Sequence, residues 1–430
     1  MSGEVVSLAE GPATAPAVGL SAASTRRATT IMIAVRAGYA YNWYTVGPAL
    51  PAIGAQFSVG PAEWGLLLAI FLVAAGVLQV PAGMLSQRFG SRAVALAGAA
   101  LLGAASIASG FAPSFGTLVA LRGAAGVGAA LFFSPAIGLV GSLYPEGKRG
   151  VPIGMFSSAF SGGAAAGVLL SAIAVGPLGW HWTLALGGIG LLVLTLGAVA
   201  LIPRGAGAAL PASISRPKVP VALRLPALWA IGLAFIGLEG ATFATGQFLV
   251  PYGTIELGWG AALAGAVGMA FILPSIVGGP IGGYVTERRT NRRTQFLVAG
   301  AVATVTVSLI PWVGLIPMVL LGIGFSFAYG ATYAIMYVLP NYLPGLPRDE
   351  IPVGIGLFNS VQLAGGAIVA WAFGLWVASV GYPLAWSLLA IAVIVPLAFL
   401  VYLPRNGSGE FPHRDWPDPA GPVLRSEPDP

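Results

Sequence analysis

No cysteine occurs among the 430 residues. That excludes a disulfide framework, a thiol nucleophile and any cysteine-based metal site. Histidine is nearly as scarce, with His181 and His413 alone, and no cluster of His and carboxylates has the spacing of a metal centre. Charge is the third shortage. Charged residues make up only 8% of the chain against 57% hydrophobic, whereas soluble domains carry about 25% charged residues. A soluble globular protein is excluded, and an integral membrane protein is implied. Glycine-rich runs such as "GVGAAL" are not followed by the Lys-Ser/Thr of a phosphate-binding loop. No ATPase or other enzyme signature is present and no cofactor is called for, so any transport draws on gradients. The net charge of +6 is spread over short loops, which argues against a nucleic-acid partner.

What the chain has in abundance is apolar runs long enough to cross a bilayer, for which a helix needs about 20 residues. Twelve spans are expected, at 30–51, 63–85, 92–111, 115–141, 150–175, 181–202, 226–250, 260–284, 294–312, 315–340, 351–378 and 382–403. The first 28 residues are small and polar, with no basic-then-apolar signal peptide. Residues 405–430 are rich in Pro, Asp and Gly; both ends read as disordered. Apart from Arg36 and Arg122, every Lys and Arg falls in the N-terminal segment, in alternate loops or in the tail. By the positive-inside rule both termini are cytoplasmic, which requires an even number of spans. The two halves also echo each other. "GMLSQRFGSR" at 83–92 returns as "GYVTERRTNR" at 283–292, and "IGMFSS" at 153–158 as "IGLFNS" at 355–360. The expected units are therefore two six-helix bundles, 29–203 and 226–404, joined by a basic linker, 204–225, around a midplane site.

"GMLSQRFGSR" resembles the helix-two to helix-three loop motif of the major facilitator superfamily, Gly-x-Leu-x-Asp-Arg-x-Gly-x-Arg/Lys. Gly83, Leu85, Arg88, Gly90 and Arg92 match, Gln87 stands where the family has Asp, and the second copy has Glu287 beside Arg288. "RGAAGVGAA" from Arg122 is similar to the helix-four pattern Arg-x-x-x-Gly-x-Gly-x-Ala, and "GWHW" at 179–182 to the Gly-Trp-Arg-Trp that opens helix six. The resemblance covers residues 30–404. It implies an all-α fold of twelve transmembrane helices in two pseudo-symmetric bundles, alternating access, and helices one, four, seven and ten lining the path. It also implies a plasma (inner) membrane location. Within the superfamily, helix five reads "SGGAAAG" and lacks the Gly-Pro element of drug antiporters, while the run from Leu121 to Ser158 looks more like the anion:cation symporter branch. That branch usually carries an acid seven residues after the helix-four Arg, where this chain has Ala129.

An ionisable group at mid-membrane is costly, so each should face a cavity, find a partner or reach an interface. Arg36, Arg122 and Glu239 are the three. At 100° per residue, Arg36, Tyr39 and Trp43 share one stripe of helix one while Tyr41 points away. Glu239, Thr242 and Gly246 share a face of helix seven, Tyr329 and Tyr333 one of helix ten, and helix eleven adds Asn359 and Gln362. The functional reading gives Arg36 and Arg122 an anionic group, with Tyr39, Trp43, Tyr329, Tyr333, Asn359 and Gln362 shaping the pocket and Glu239 taking a coupling proton. Three rival readings stay open: Arg36 snorkels, Arg122 holds helix ends, or Glu239 pairs permanently with Arg122. His181 reads as an interfacial anchor, and Glu63 and Glu256 as solvated.

The function expected is proton-coupled symport of a small organic anion by a monomer, with proton as the second solute and the bilayer as the other partner. Proton-driven efflux of drugs or metabolites is the alternative. A non-transporting sensor or scaffold is disfavoured by the short loops.

Overall fold

The structure, a computed structural model, describes residues 21–145, 148–207, 221–288, 292–343, 345–347 and 350–402. The expected disorder of the tail and of residues 1–20, most of the linker, and Arg348 lie outside the described residues.

Thirteen α-helices make up the described chain, with no β-strand among the described residues: α1 (Ala22–Tyr44), α2 (Val46–Phe57), α3 (Pro61–Val77), α4 (Gln79–Phe89), α5 (Ser91–Gly110), α6 (Phe115–Ser142), α7 (Gly150–Leu201), α8 (Pro226–Ile255), α9 (Ala261–Ala270), α10 (Ser275–Arg288), α11 (Arg292–Leu309), α12 (Leu315–Val338) and α13 (Ile351–Ile394). Side-chain chemistry sets many of the starts. Ser21 and Ser114 accept from the backbone N–H groups of Ser24 and Thr117 and cap α1 and α6, and Pro226 opens α8, where its missing N–H is no loss. Helix one thus begins at Ala22, ahead of the disordered segment expected up to residue 28: the Ala-rich "AASTRRA" behind a serine cap is itself helix-forming.

The breaks are as informative as the runs. Pro48 has no N–H for the carbonyl of Tyr44, and the chain steps from α1 to α2 at Thr45. α7 has 52 residues, about 78 Å of continuous helix at 1.5 Å per residue, against about 30 Å of hydrocarbon. It is divided at Gly179 (φ 71°), and α13 likewise at Gly381 (φ 78°). Among the described residues eight helical stretches are long and apolar enough to cross a membrane, or nine if the bent α3–α4 pair is one span. In that count α7 and α13 each stand once. The expected helix in 382–403 keeps its α geometry only to Ile394 and continues as 3₁₀ turns over Val395–Tyr402.

Helices pack closely wherever small residues meet. A Cβ on Gly163 of α7 would run into the carbonyl of Ala37 in α1, so only glycine lets these two backbones touch. Gly163→Val should therefore force the helices apart and cost about 1–3 kcal/mol, read as a lowered Tm of the purified protein in detergent.

α1–α7 form one half of the molecule and α8–α13 the other. The basic residues Arg88, Arg92, Arg149, Arg204 and Arg224 gather at one end, called here the basic end. At the opposite end the halves meet intimately: Gly65 faces the backbone of Trp371, Gly374 that of Pro61, and Gly265 packs on Ala172 and Leu169. Hydrogen bonds also join the halves: Gln247 Nε2 donates to the Trp43 carbonyl, Asn359 Nδ2 to Gln79 Oε1, and Ser275 Oγ to Ser161 Oγ. The Asn359–Gln79 bond and the approach of Val80 to Gly356 carry the contact on toward the basic end.

Candidate functional site

Arg36 lies near the middle of α1 and α2 taken together. Its side chain is buried, 6% exposed, and its head does not extend to an interface. Instead the guanidinium carbon sits 4.8 Å from the ring centre of Tyr39, 4.7 Å from those of Phe133 and Phe160 and 5.4 Å from that of Phe156. Nε and Nη1 are buried with no hydrogen-bond partner. Face-on rings attract a cation, but they cannot accept directional N–H bonds as a carboxylate does. The head is thus solvated only in part, with two donor nitrogens free.

The stripe expected on helix one is formed. Tyr39 and Trp43 rings lie 5.5 Å apart, whereas Tyr41 turns to the other side, against Gly187 of α7. Trp43 then contacts Phe71 at 4.9 Å, Phe160 at 5.6 Å and Phe243 at 6.0 Å. Phe71 in turn lies under Arg122, 4.5 Å from its guanidinium carbon. Arg122 is 1% exposed, and its Nε and Nη1 also lack partners.

Glu239 is buried on α8 and accepts a hydrogen bond of 2.8 Å from the Tyr329 hydroxyl of α12. No ion pair joins it to Arg122 or Arg36. A permanent Glu239–Arg122 pair, one of the expectations, is therefore corrected: the phenol of Tyr329 is its partner, and Arg122 turns toward Phe71 on α3. Thr242 bonds back to Leu238 in its own helix, and Gly246 lies against the Tyr44 ring.

Tyr329, Tyr333 and Tyr337 rise along one face of α12, with ring centres 5.6 Å and 5.0 Å apart. Tyr333 and Tyr337 share a hydroxyl contact of 2.9 Å, and Tyr337 donates to Asn359 Oδ1 at 3.2 Å. Gln362 Nε2 also donates to Asn359 Oδ1, at 2.7 Å. Asn359 and Gln362 are thus knitted into the helix packing, and Gln362 Oε1 alone is left buried without a partner.

Among the described residues the first copy of the loop motif makes no ion pair. Gln87 and Arg88 are exposed, Arg88 lying over the Phe89 ring at 5.2 Å. Gly90 takes φ 85° at the turn, and Arg92 donates from Nε to the Ile202 carbonyl at 3.1 Å and from Nη2 to that of Val199 at 2.8 Å, which satisfies the end of α7. Gly83 stands clear of its neighbours. Glu287 and Arg288 end α10, with their side chains outside the described residues. At the base-free end the His181 ring stacks on Trp180 with centres 4.0 Å apart, while Trp180 donates to Gln56. Glu256 is exposed, and Glu63, also exposed, accepts from the Gly60 N–H at the start of α3.

The residues that sequence reasoning missed include Tyr337, one turn beyond Tyr333 on α12, the phenylalanine rings Phe133 and Phe160, and the amides Gln79 and Gln247. The two rings carry no signal beyond being apolar. The two amides did carry one, since each is a polar group inside an apolar run, "LQVPAG" and "TGQFLVP".

The Major Facilitator Superfamily profile matches residues 32–370. A puromycin resistance protein of Streptomyces alboniger is 31% identical over 160 residues, which are 37% of this chain and 32% of that protein. The chain thus spans about a third of that relative's length. A probable nitrate/nitrite transporter of Mycobacterium tuberculosis is 25% identical over 263 residues, 59% of this chain and 64% of that protein. Among solved structures, a POT family transporter in complex with a thioalcohol-conjugated peptide superposes with a TM-score of 0.70 at 15% identity, over 87% of this chain and 96% of that one. With the family profile covering most of the chain and the fold shared, this protein belongs to the Major Facilitator Superfamily.

Proposed function

We propose that the protein is a proton-coupled symporter for a small organic anion, in which Arg36 makes the primary anion contact. The observation that carries this reading is the buried Arg36 head, with Nε and Nη1 free of partners and ringed by aromatic side chains. An unpaired guanidinium in a dry site is costly, and a carboxylate would supply the missing acceptors in a bidentate pair. Arg122 is a second positive centre one ring layer away. Glu239, on the opposite half and bonded only to Tyr329, is the titratable group for coupling. The two bundles are residues 29–203 and 226–404, each contributing six crossings, with both termini cytoplasmic. The basic end is then the cytoplasmic end.

A second reading, proton-driven efflux, draws support from the resistance protein among the relatives. One experiment separates them. Purified protein in liposomes with an imposed inward proton gradient should accumulate a labelled carboxylate. No accumulation of any anion at either gradient polarity would overturn the symport reading, and gradient-driven expulsion of cationic or neutral toxic compounds would establish the second.

A further inference from the structure

The space between the halves has two walls of rings. On the first half Tyr39, Phe133 and Phe160 surround the Arg36 head at 4.7–4.8 Å. On the second half Tyr329, Tyr333 and Tyr337 form a continuous ladder at i, i+4 and i+8 of α12, with neighbouring ring centres at 5.6 Å and 5.0 Å. The walls are joined across the divide: Tyr337 donates to Asn359, which donates to Gln79 of the first half, and Trp43, which packs on Phe160, lies 6.0 Å from Phe243 of the second. Phe133, Phe160 and all three ladder tyrosines keep part of their surface exposed. They do so although their contacts to Arg36, Glu239 and Asn359 fix them toward the interior rather than toward lipid.

This lining is poorly matched to a small hydrated ion. Such an ion wants several N–H or O–H donors around it, and the phenols of the ladder are committed to Glu239, to each other and to Asn359. Flat rings with part of their surface exposed are instead the complement of another flat ring, whose stacked or edge contacts add attraction beyond the area covered. The polar groups are sorted by sign as well. The base is on one wall. The far side presents acceptors: the Glu239 carboxyl and Gln362 Oε1, which is buried and unpartnered. A ligand with a carboxylate at both ends would set its second charge toward Glu239, where like charges repel.

We infer that the substrate is a planar aromatic monocarboxylate bearing a hydrogen-bond donor opposite its carboxylate, held with the carboxylate on Arg36 and the ring between the two aromatic walls. This rests on the anion reading above and narrows it. The ring packs against Phe160 and the Tyr333 face, and the distal donor reaches the acceptors beyond.

The test is equilibrium binding of four probes to the purified full chain: 4-hydroxybenzoate, benzoate, cyclohexanecarboxylate and nitrate. Benzoate should bind about tenfold tighter than the equally bulky cyclohexanecarboxylate, 4-hydroxybenzoate a few-fold tighter again, and nitrate weakest. Phe160→Leu keeps an apolar side chain and removes the ring, so it should erase the gap between benzoate and cyclohexanecarboxylate by weakening benzoate alone. Should that variant not fold, the wild-type comparison of the two carboxylates decides. Equal affinity for those two, or nitrate bound tightest, would overturn the aromatic assignment while leaving an anion transporter in place. Binding of none of the four would also overturn it, and the liposome carboxylate panel then judges the anion reading separately.

Discussion

Arg36→Gln should lower anion accumulation in proteoliposomes at least 100-fold while leaving the Tm of the purified protein unchanged or raised. The two halves of this expectation come from the same geometry. Nε and Nη1 have no protein partner, so two of the head's three nitrogens contribute no hydrogen bonds to the unliganded fold. A charged arginine near the centre of a membrane helix costs about 3 kcal/mol on insertion scales, which the four surrounding rings offset only in part. Removing the charge therefore relieves the resting protein. With substrate present the balance reverses: charge-assisted hydrogen bonds contribute about 1.5–3 kcal/mol each, and losing two of them is a factor of 100 or more. A structural arginine behaves otherwise. If Arg36→Gln lowered Tm by several degrees and the remaining folded protein still transported normally, Arg36 would be a packing residue and the anion site would lie elsewhere.

Glu239→Gln should separate driving force from binding. Glutamine keeps the shape and still accepts the Tyr329 hydroxyl hydrogen bond that Glu239 accepts at 2.8 Å, but it cannot carry a proton. Accumulation driven by an imposed pH gradient should fall about 100-fold, whereas exchange of labelled for unlabelled anion across the same vesicles should stay within about threefold of wild type, because exchange needs no net proton movement. Tyr329→Phe, which removes the donor and leaves the carboxyl, should retain gradient-driven uptake with an altered pH profile. Loss of exchange together with gradient-driven uptake in Glu239→Gln would assign the residue to binding instead of coupling.

How much of this was legible beforehand depends on the kind of signal. Apolar run length and the alternation of basic loops outlined the bundle, because the bilayer allows so few solutions for a backbone that must bond to itself. The facing of Arg36, Tyr39 and Trp43, with Tyr41 turned away, followed from helical periodicity and is what the structure has. Partners across helices did not follow. A permanent Glu239–Arg122 pair was one of the readings the sequence left open, yet Arg122 turns to Phe71 and Glu239 to Tyr329; periodicity along one helix says nothing about azimuth between bundles. The start of helix one was missed for a simpler reason. Hydropathy marks where a helix enters lipid, while the helix itself runs on through polar "STRRA" as far as its serine cap. Phe133 and Phe160 were invisible because a phenylalanine in a membrane helix is ordinary until its neighbour is known to be a guanidinium.

The three hydrogen bonds between the halves also bear on turnover. They are neutral, and they run along the seam from Gln247–Trp43 through Ser275–Ser161 to Asn359–Gln79, which lies nearest the basic end. Each neutral bond is worth about 1 kcal/mol net, so the three add only about 3 kcal/mol to the helix packing that joins the halves. Polar bonding is thus a small part of the seam, and a few kcal/mol of binding energy spread unequally between two states is enough to offset it.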